Sequence, residues 1–258
     1  MAELKVAVRV DAMRMPLRRS LETAARLGAS AVELDARNDI VPSQLSDTGV
    51  RQLRKILSDL NLKVAALRFQ TRRGYDNSSD LERRIDATKS AMDLAYRLSA
   101  PVVVNAIGNV PDSEDDPRYS QLQTVMDDLG RHGARIGAFF VAETGSESGE
   151  TLAKLLDGAP DAFVGVAFNP GQLIINRFSP REAVQALKER IQLVCAVDGV
   201  LDLAAGRGVM VPLGQGTADF PELIGMLEDT QYRGTYLVGR SDSSLGELEQ
   251  GIQYLKNL

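Results

Sequence analysis

The sequence predicts an α/β protein built as one closed (β/α)8 barrel, eight parallel strands with outer helices. Three observations carry this expectation: β-rich runs alternate with longer segments of helical period, the strand-like runs number eight, and 258 residues suit that many βα units. Strands are expected at 4–10, 31–35, 63–68, 101–106, 137–142, 163–168, 191–196 and 235–238. The runs VVVNA and FVGVAF are almost continuously apolar, as parallel strands covered on both faces require.

Helical patterns fill the intervals at 16–27, 48–60, 79–98, 121–135, 149–156, 180–188, 220–228 and 245–255. Pro16 and Pro180 suit first-turn positions, where a missing N–H leaves no bond unmade. No linker rich in Gly, Pro or Ser divides the chain, so residues 1–258 are expected to form a single barrel domain. The segments 108–117 and 197–218 exceed ordinary βα connections, and barrels place function on such loops.

Composition narrows the partners. A net charge of −5 and an isoelectric point near 5.1 argue against nucleic acid, whose ligands present a basic face. Cys195 is the single cysteine, which excludes an internal disulfide and fits a reducing compartment. The opening MAELKVAVRVDAMR lacks the basic-then-apolar order of a signal peptide, and no apolar run approaches the length of a membrane span. A cytoplasmic protein with no membrane partner is expected; the oligomeric state stays open.

If the barrel closes, residues at the strand ends converge on one mouth. Those singled out are Arg9, Asp11, Glu33, Asp35, Arg68, Asn105, Glu143, Asn169, Cys195, Asp198, Arg207 and Arg240. Glu143, in FFVAETG, is the catalytic candidate, because a carboxylate directly after an apolar strand faces the pocket and can act as base or metal ligand; the alternative is a structural carboxylate paired with arginine. Arg207 sits among close glycines, where backbone approaches a ligand and a guanidinium clamps an anion; the alternative is a solvated turn. Cys195 lacks a basic neighbour, since the single histidine, His132, lies in LGRHGARIG at a helix end, so a buried filler is the simpler role. The acidic run from Asp112 to Asp116 reads as a solvated turn.

Several segments resemble the xylose-isomerase-like family of sugar phosphate isomerases and epimerases: AARLGASAVELDAR, RRIDATKSAMDLAYRLSAPVVVNAIG, GVAFNPGQLI and the stretch from Cys195 to Arg240. The last carries Gly-Arg-Gly, Pro-Leu-Gly-x-Gly and Tyr-Arg-Gly in order. The resemblance implies an isomerase or epimerase of a small polyhydroxy or acidic compound. It also implies Mn²⁺ or Mg²⁺ held by a Glu, an Asp, a His and a Glu after strands five to eight. Here Glu143 matches the first ligand, while Asn169, Cys195 and Gly239 stand at the others and Gln172 replaces the histidine of the sixth-strand element. One carboxylate is too few for a hard cation, so no metal cofactor is expected.

The substrate-binding set is then Arg207, Asn169, Gln172, Asp198, Arg68, Arg9, Arg240 and Asn105, around a sugar-like or anionic small molecule. Two alternatives remain: a non-catalytic barrel that binds a sugar-like ligand or a protein partner, and mouth arginines that pair with Asp11, Glu33, Asp35 and Asp198. A DNA-repair endonuclease on the same fold needs a histidine-rich metal cluster, which a single histidine does not supply.

Overall fold

The computed structural model describes residues 4–159, 162–202 and 207–258. Met1, Ala2 and Glu3 of the leader reading and Gly206 of the Gly-Arg-Gly triplet lie outside the described residues. The strands are β1 Lys5–Arg9, β2 Ala31–Asp35, β3 Lys63–Arg68, β4 Val102–Asn105, β5 Phe139–Glu143, β6 Gly165–Phe168, β7 Ile191–Ala196, β8 Asp198–Asp202, β9 Arg207–Val211 and β10 Thr235–Val238. The helices are α1 Leu17–Arg26, α2 Asp47–Asp59, α3 Leu81–Arg97, α4 Pro117–Ile136, α5 Gly149–Asp157, α6 Pro170–Ile175, α7 Pro180–Leu187, α8 Phe220–Asp229 and α9 Leu245–Lys256.

Eight strands close into a parallel barrel in the order β1-β10-β7-β6-β5-β4-β3-β2. All eight expected strands are present, and β8 and β9 form a separate antiparallel hairpin after β7. That hairpin corrects the reading of 197–218 as plain loop. Helix α6 also went unread, because Pro170-Gly171 reads as a turn; the Asn169 side chain caps it by accepting from the Gln172 N–H.

Other boundaries follow local chemistry. Helix α4 begins at Pro117, four residues earlier than its periodicity suggests, because Asp116 accepts the Arg118 N–H and Pro117 occupies the first turn. The acidic run is therefore in part a helix cap. Pro180 takes its expected first-turn place behind Ser179, whereas Pro16 precedes α1 in an extended conformation. Ser244 and Glu247 form a reciprocal capping box on α9.

Strand alternation builds two cores. Ala7, Ala31, Ala66, Val104, Val141, Ala167, Leu193 and Leu237 pack inside the barrel. Their out-of-phase neighbours, among them Val8, Val32, Leu67, Val103, Phe140 and Phe168, pack against the helices. Eight strands enclose an interior just wide enough for these side chains to fill. No described helix is long and apolar enough to cross a membrane.

Candidate active site at the barrel mouth

Advancing two residues from the inward core residues brings the chain to Arg9, Glu33, Arg68, Glu143, Asn169, Cys195 and Gly239, so one phase of the pleat makes the core and then the mouth. A cavity of about 390 Å³ opens there, lined by Arg9, Arg68, Glu143, Asn169, Gln172, Cys195, Gly239 and Arg240 together with Gln70, Val197, Met210, Leu237, Ser241 and Asp242. The four positions aligned with the family's metal ligands thus stand around one opening.

Arg68 dominates the site. It is 4% exposed and donates from Nε to Glu33 Oε2 at 3.0 Å, from Nη1 to Glu143 Oε2 at 2.7 Å and Gln70 Oε1 at 3.1 Å, and from Nη2 to Glu143 Oε1 at 3.3 Å. A planar guanidinium therefore bridges the buried Glu33 carboxylate and the half-buried Glu143 carboxylate. Asn169 Nδ2 donates to Glu143 Oε1 at 2.9 Å, and Cys195 Sγ lies 3.9 Å from the same oxygen. Burial pushes the Glu143 carboxyl up, but the charge and hydrogen bonds of Arg68, with the bond from Asn169, outweigh it and hold the group below its ordinary value. Burial, and then the neighbouring Glu143 charge, push the Cys195 thiol well above its ordinary value.

The rim arginines are paired too. Arg9 Nε donates to Asp11 Oδ1 at 2.7 Å and lies 3.6 Å from Glu33 Oε2. Arg240 Nε donates to Asp242 Oδ1 at 3.0 Å, and its Nη2 lies 3.5 Å from Glu247 Oε2. The pairing alternative therefore holds for Asp11 and Glu33, with Glu143 and Asp242 added. Asp35 and Asp198 instead bind local groups: Asp35 accepts from Arg37 and Asn38, and Asp198 from three backbone N–H groups.

Three residues of the expected substrate-binding set lie elsewhere. Val102 and Val104 are the inward residues of β4, so Asn105, one step out of phase, points outward, where its amide donates to Thr71 Oγ1 and Tyr75 Oη and braces the loop after β3. Arg207 is exposed and lines a different cavity with Arg177, Leu201 and Asp202; Met210, of opposite phase on β9, is the hairpin residue that reaches the mouth. Asp198 is fully buried under the loop that ends at Ala218. Conversely, Gln70, two residues beyond Arg68 in the same phase, joins the site although sequence reasoning passed over it.

The donor set does not fit a divalent cation. Both Glu143 oxygens carry hydrogen bonds from Arg68, whose positive charge would face any ion bound there. Cys195 is held as a thiol, and Asn169 spends its oxygen on capping α6. Gly239 has φ +116°, which a glutamate adopts only with backbone strain, and a Cβ there would also displace Leu248 Cδ2, 2.6 Å away. No group of three or more potential ligands gathers among the described residues.

Beside the mouth, Glu147 is buried with Oε1 unpartnered, and burial pushes its carboxyl up to about 7 despite a hydrogen bond from Ser146. A carboxyl raised on folding keeps its proton longer in the native state, so stability falls as pH rises from about 4.5 to about 7. The loss is roughly 3 kcal/mol when the whole shift is converted. Glu147→Gln is expected to match the parent near pH 4.5 and to exceed it by about 1–3 kcal/mol at pH 8 in urea unfolding; equal stabilities at pH 8 would contradict this assignment.

Fold and site together define a (β/α)8 barrel whose polar cavity lies at the C-terminal ends of its strands, where barrel enzymes carry their sites. The chain belongs to the xylose isomerase-like TIM barrel family, whose model matches residues 21–258. It is similar to a xylose isomerase domain protein from Planctomyces limnophilus at 20% identity, TM-score 0.87, covering 99% of this chain and 96% of that one. A xylose isomerase-like TIM barrel protein from Mycobacterium smegmatis, in complex with magnesium, matches at 17% identity, TM-score 0.77, with 98% and 96% coverage. The 3-keto-D-glucoside 4-epimerase of E. coli matches at 11% identity, TM-score 0.78, with 99% and 100% coverage. At these identities the likeness is one of fold. No curated protein matches the chain.

Proposed function

We propose that the mouth is a metal-independent site for a small polyhydroxy, sugar-like compound and that its chemistry is proton transfer of the isomerase or epimerase type. The observation that carries this reading is Arg68 seated between Glu33 and Glu143, where it supplies the positive charge that a cation supplies to a set of carboxylates. Because the mouth arginines are paired, the cavity favours a ligand with many hydroxyls over one with a high charge. The Gln172 side chain lines the cavity and carries no hydrogen bond among the described residues, leaving its amide for a hydroxyl.

In this reading Glu143, ionised at neutral pH, removes a proton from the carbon beside a carbonyl of the ligand. The electron pair moves onto the carbonyl oxygen, which Arg68 stabilises; four of its five N–H groups are engaged, which leaves one. Return of the proton by Glu143 to the former carbonyl carbon, with the adjoining hydroxyl proton passing to the first oxygen, gives isomerisation; epimerisation takes the returning proton from water on the opposite face. A second reading, a binding barrel without chemistry, is favoured by the hold of Arg68 and Asn169 on Glu143, since a carboxylate held below its ordinary pKa is a weak base.

The test is a thermal-shift screen of polyols, aldoses, ketoses and sugar acids, followed by NMR in D₂O with the compounds that bind. A ligand at about one hundred times its dissociation constant adds about 2.7 kcal/mol of stability. A neutral polyhydroxy compound is expected to raise the melting temperature, with the rise reduced in Gln172→Ala. Its carbon-bound proton is expected to exchange for deuterium with the parent protein and not with Glu143→Gln. Binding without exchange supports the second reading, and no shift with any compound at about 10 mM contradicts both.

A further inference from the structure

A second cavity lies beside the mouth, not in it. It measures about 680 Å³, within the usual range of small-molecule sites, and is lined by Arg37, Arg72, Arg73, Arg83 and Arg84 against one carboxylate, Asp80. Five guanidinium groups in one concavity of a chain whose net charge is −5 are held against their mutual repulsion. The arginines of the mouth differ: Arg9, Arg68 and Arg240 each pair with a carboxylate.

The five divide by task. Arg37 donates to the Gln70 carbonyl at 2.7 Å and stands 5.9 Å over the Phe69 ring. Arg84 donates to the Asn77 and Ser79 carbonyls and has a buried Nε without a partner. Arg72, Arg73 and Arg83 are exposed, and their side chains form no ion pair or hydrogen bond among the described residues. Arg72 and Arg73 come from the loop after β3, and Arg83 from the first turn of α3, so free cations meet from two walls. Val41, Pro42 and Phe69 add apolar lining.

We infer that this cavity is a binding site, separate from the mouth, for a small molecule carrying a di- or triphosphate group. Guanidinium groups bind phosphate oxygens through paired charge-assisted bonds, and three free ones match several negative charges better than the single charge of a carboxylate. A concave site of this volume suits a compact anion rather than a nucleic-acid backbone, which needs an extended basic face.

The experiment is calorimetric titration of the full chain with tripolyphosphate, pyrophosphate and inorganic phosphate, with xylitol as the neutral control and a single-stranded oligonucleotide as the macromolecular one. Tripolyphosphate is expected to bind one per chain, more tightly than inorganic phosphate, while xylitol leaves its affinity unchanged. Arg83→Ala is expected to weaken it about tenfold and the Arg72→Ala/Arg73→Ala pair about a hundredfold, as befits the loss of one and two charge-assisted contacts. These side chains are exposed and unpaired, so unchanged melting temperatures are expected to show that the variants fold. Glu143→Gln should bind tripolyphosphate as the parent does, which separates this site from the mouth. Absence of binding, affinity indifferent to the arginine substitutions, loss of binding in Glu143→Gln, or arginine-dependent binding of the oligonucleotide alone would each overturn the inference.

Discussion

Replacing Arg68 by alanine is expected to cost about 3–5 kcal/mol of stability, the usual loss when one partner of a buried ion pair is removed and the other is left charged. Here two carboxylates are left: Glu33, 2% exposed with Oε1 already unpartnered, and Glu143, whose two oxygens both accept from Arg68. For a chain of this size the melting temperature should fall by roughly 10 °C or more. Adding Glu143→Gln to Arg68→Ala removes one orphaned charge, so the double variant is expected to recover at least about 1 kcal/mol, a coupling readable in a double-mutant cycle. A loss below about 1 kcal/mol in the single variant would mean that Arg68 does not neutralise this pair.

Asp198→Ala is expected to cost about 3 kcal/mol or more for a different reason. The carboxylate is fully buried and accepts the Gly199 N–H at 2.8 Å, the Gly216 N–H at 2.9 Å and the Ala218 N–H at 3.0 Å, tying the start of the hairpin to the end of the loop that leads into α8. Alanine leaves these donors without their acceptor, and orphaned polar groups are more costly than the net value of the bonds they made. Urea unfolding measures the loss. Increased amide exchange confined to residues near 199 and 212–218 is expected alongside it; a variant as stable as the parent would show that other groups hold this loop.

The strands were readable because short β-rich runs recur eight times between segments of helical period, several of them nearly continuous in apolar residues. The sequence was less informative wherever side-chain phase decides the outcome. Asn105 and Arg207 sit near strand ends, which made them candidates, yet Asn105 is out of phase with inward Val104 and Arg207 with Met210. Applied strictly, alternation from Ala31 and Ala66 singles out Glu33, Arg68 and then Gln70. The hairpin was hidden by the density of glycine between Asp198 and Gly216, and α6 by the proline and glycine at its start. Glu143, Asn169, Cys195 and Gly239 were placed together by family resemblance, and the structure shows them around one cavity.

What resemblance did not supply is the partner of Glu143. Arg68 lies 75 residues away in the chain, and pairing across such a distance follows from barrel closure rather than from local pattern. Nor does composition reveal that the mouth arginines are paired while Arg72, Arg73 and Arg83 are not, since that division depends on which carboxylates each loop brings near.

The central claim is that Arg68 occupies the electrostatic role of a cation at Glu143, and calorimetric titration with Mn²⁺ tests it most directly. The parent protein is expected to give no saturable binding at the mouth at metal concentrations up to about 1 mM, because hard cations need several free anionic oxygens. One Mn²⁺ bound per chain, with the binding lost in Glu143→Gln, would contradict the account.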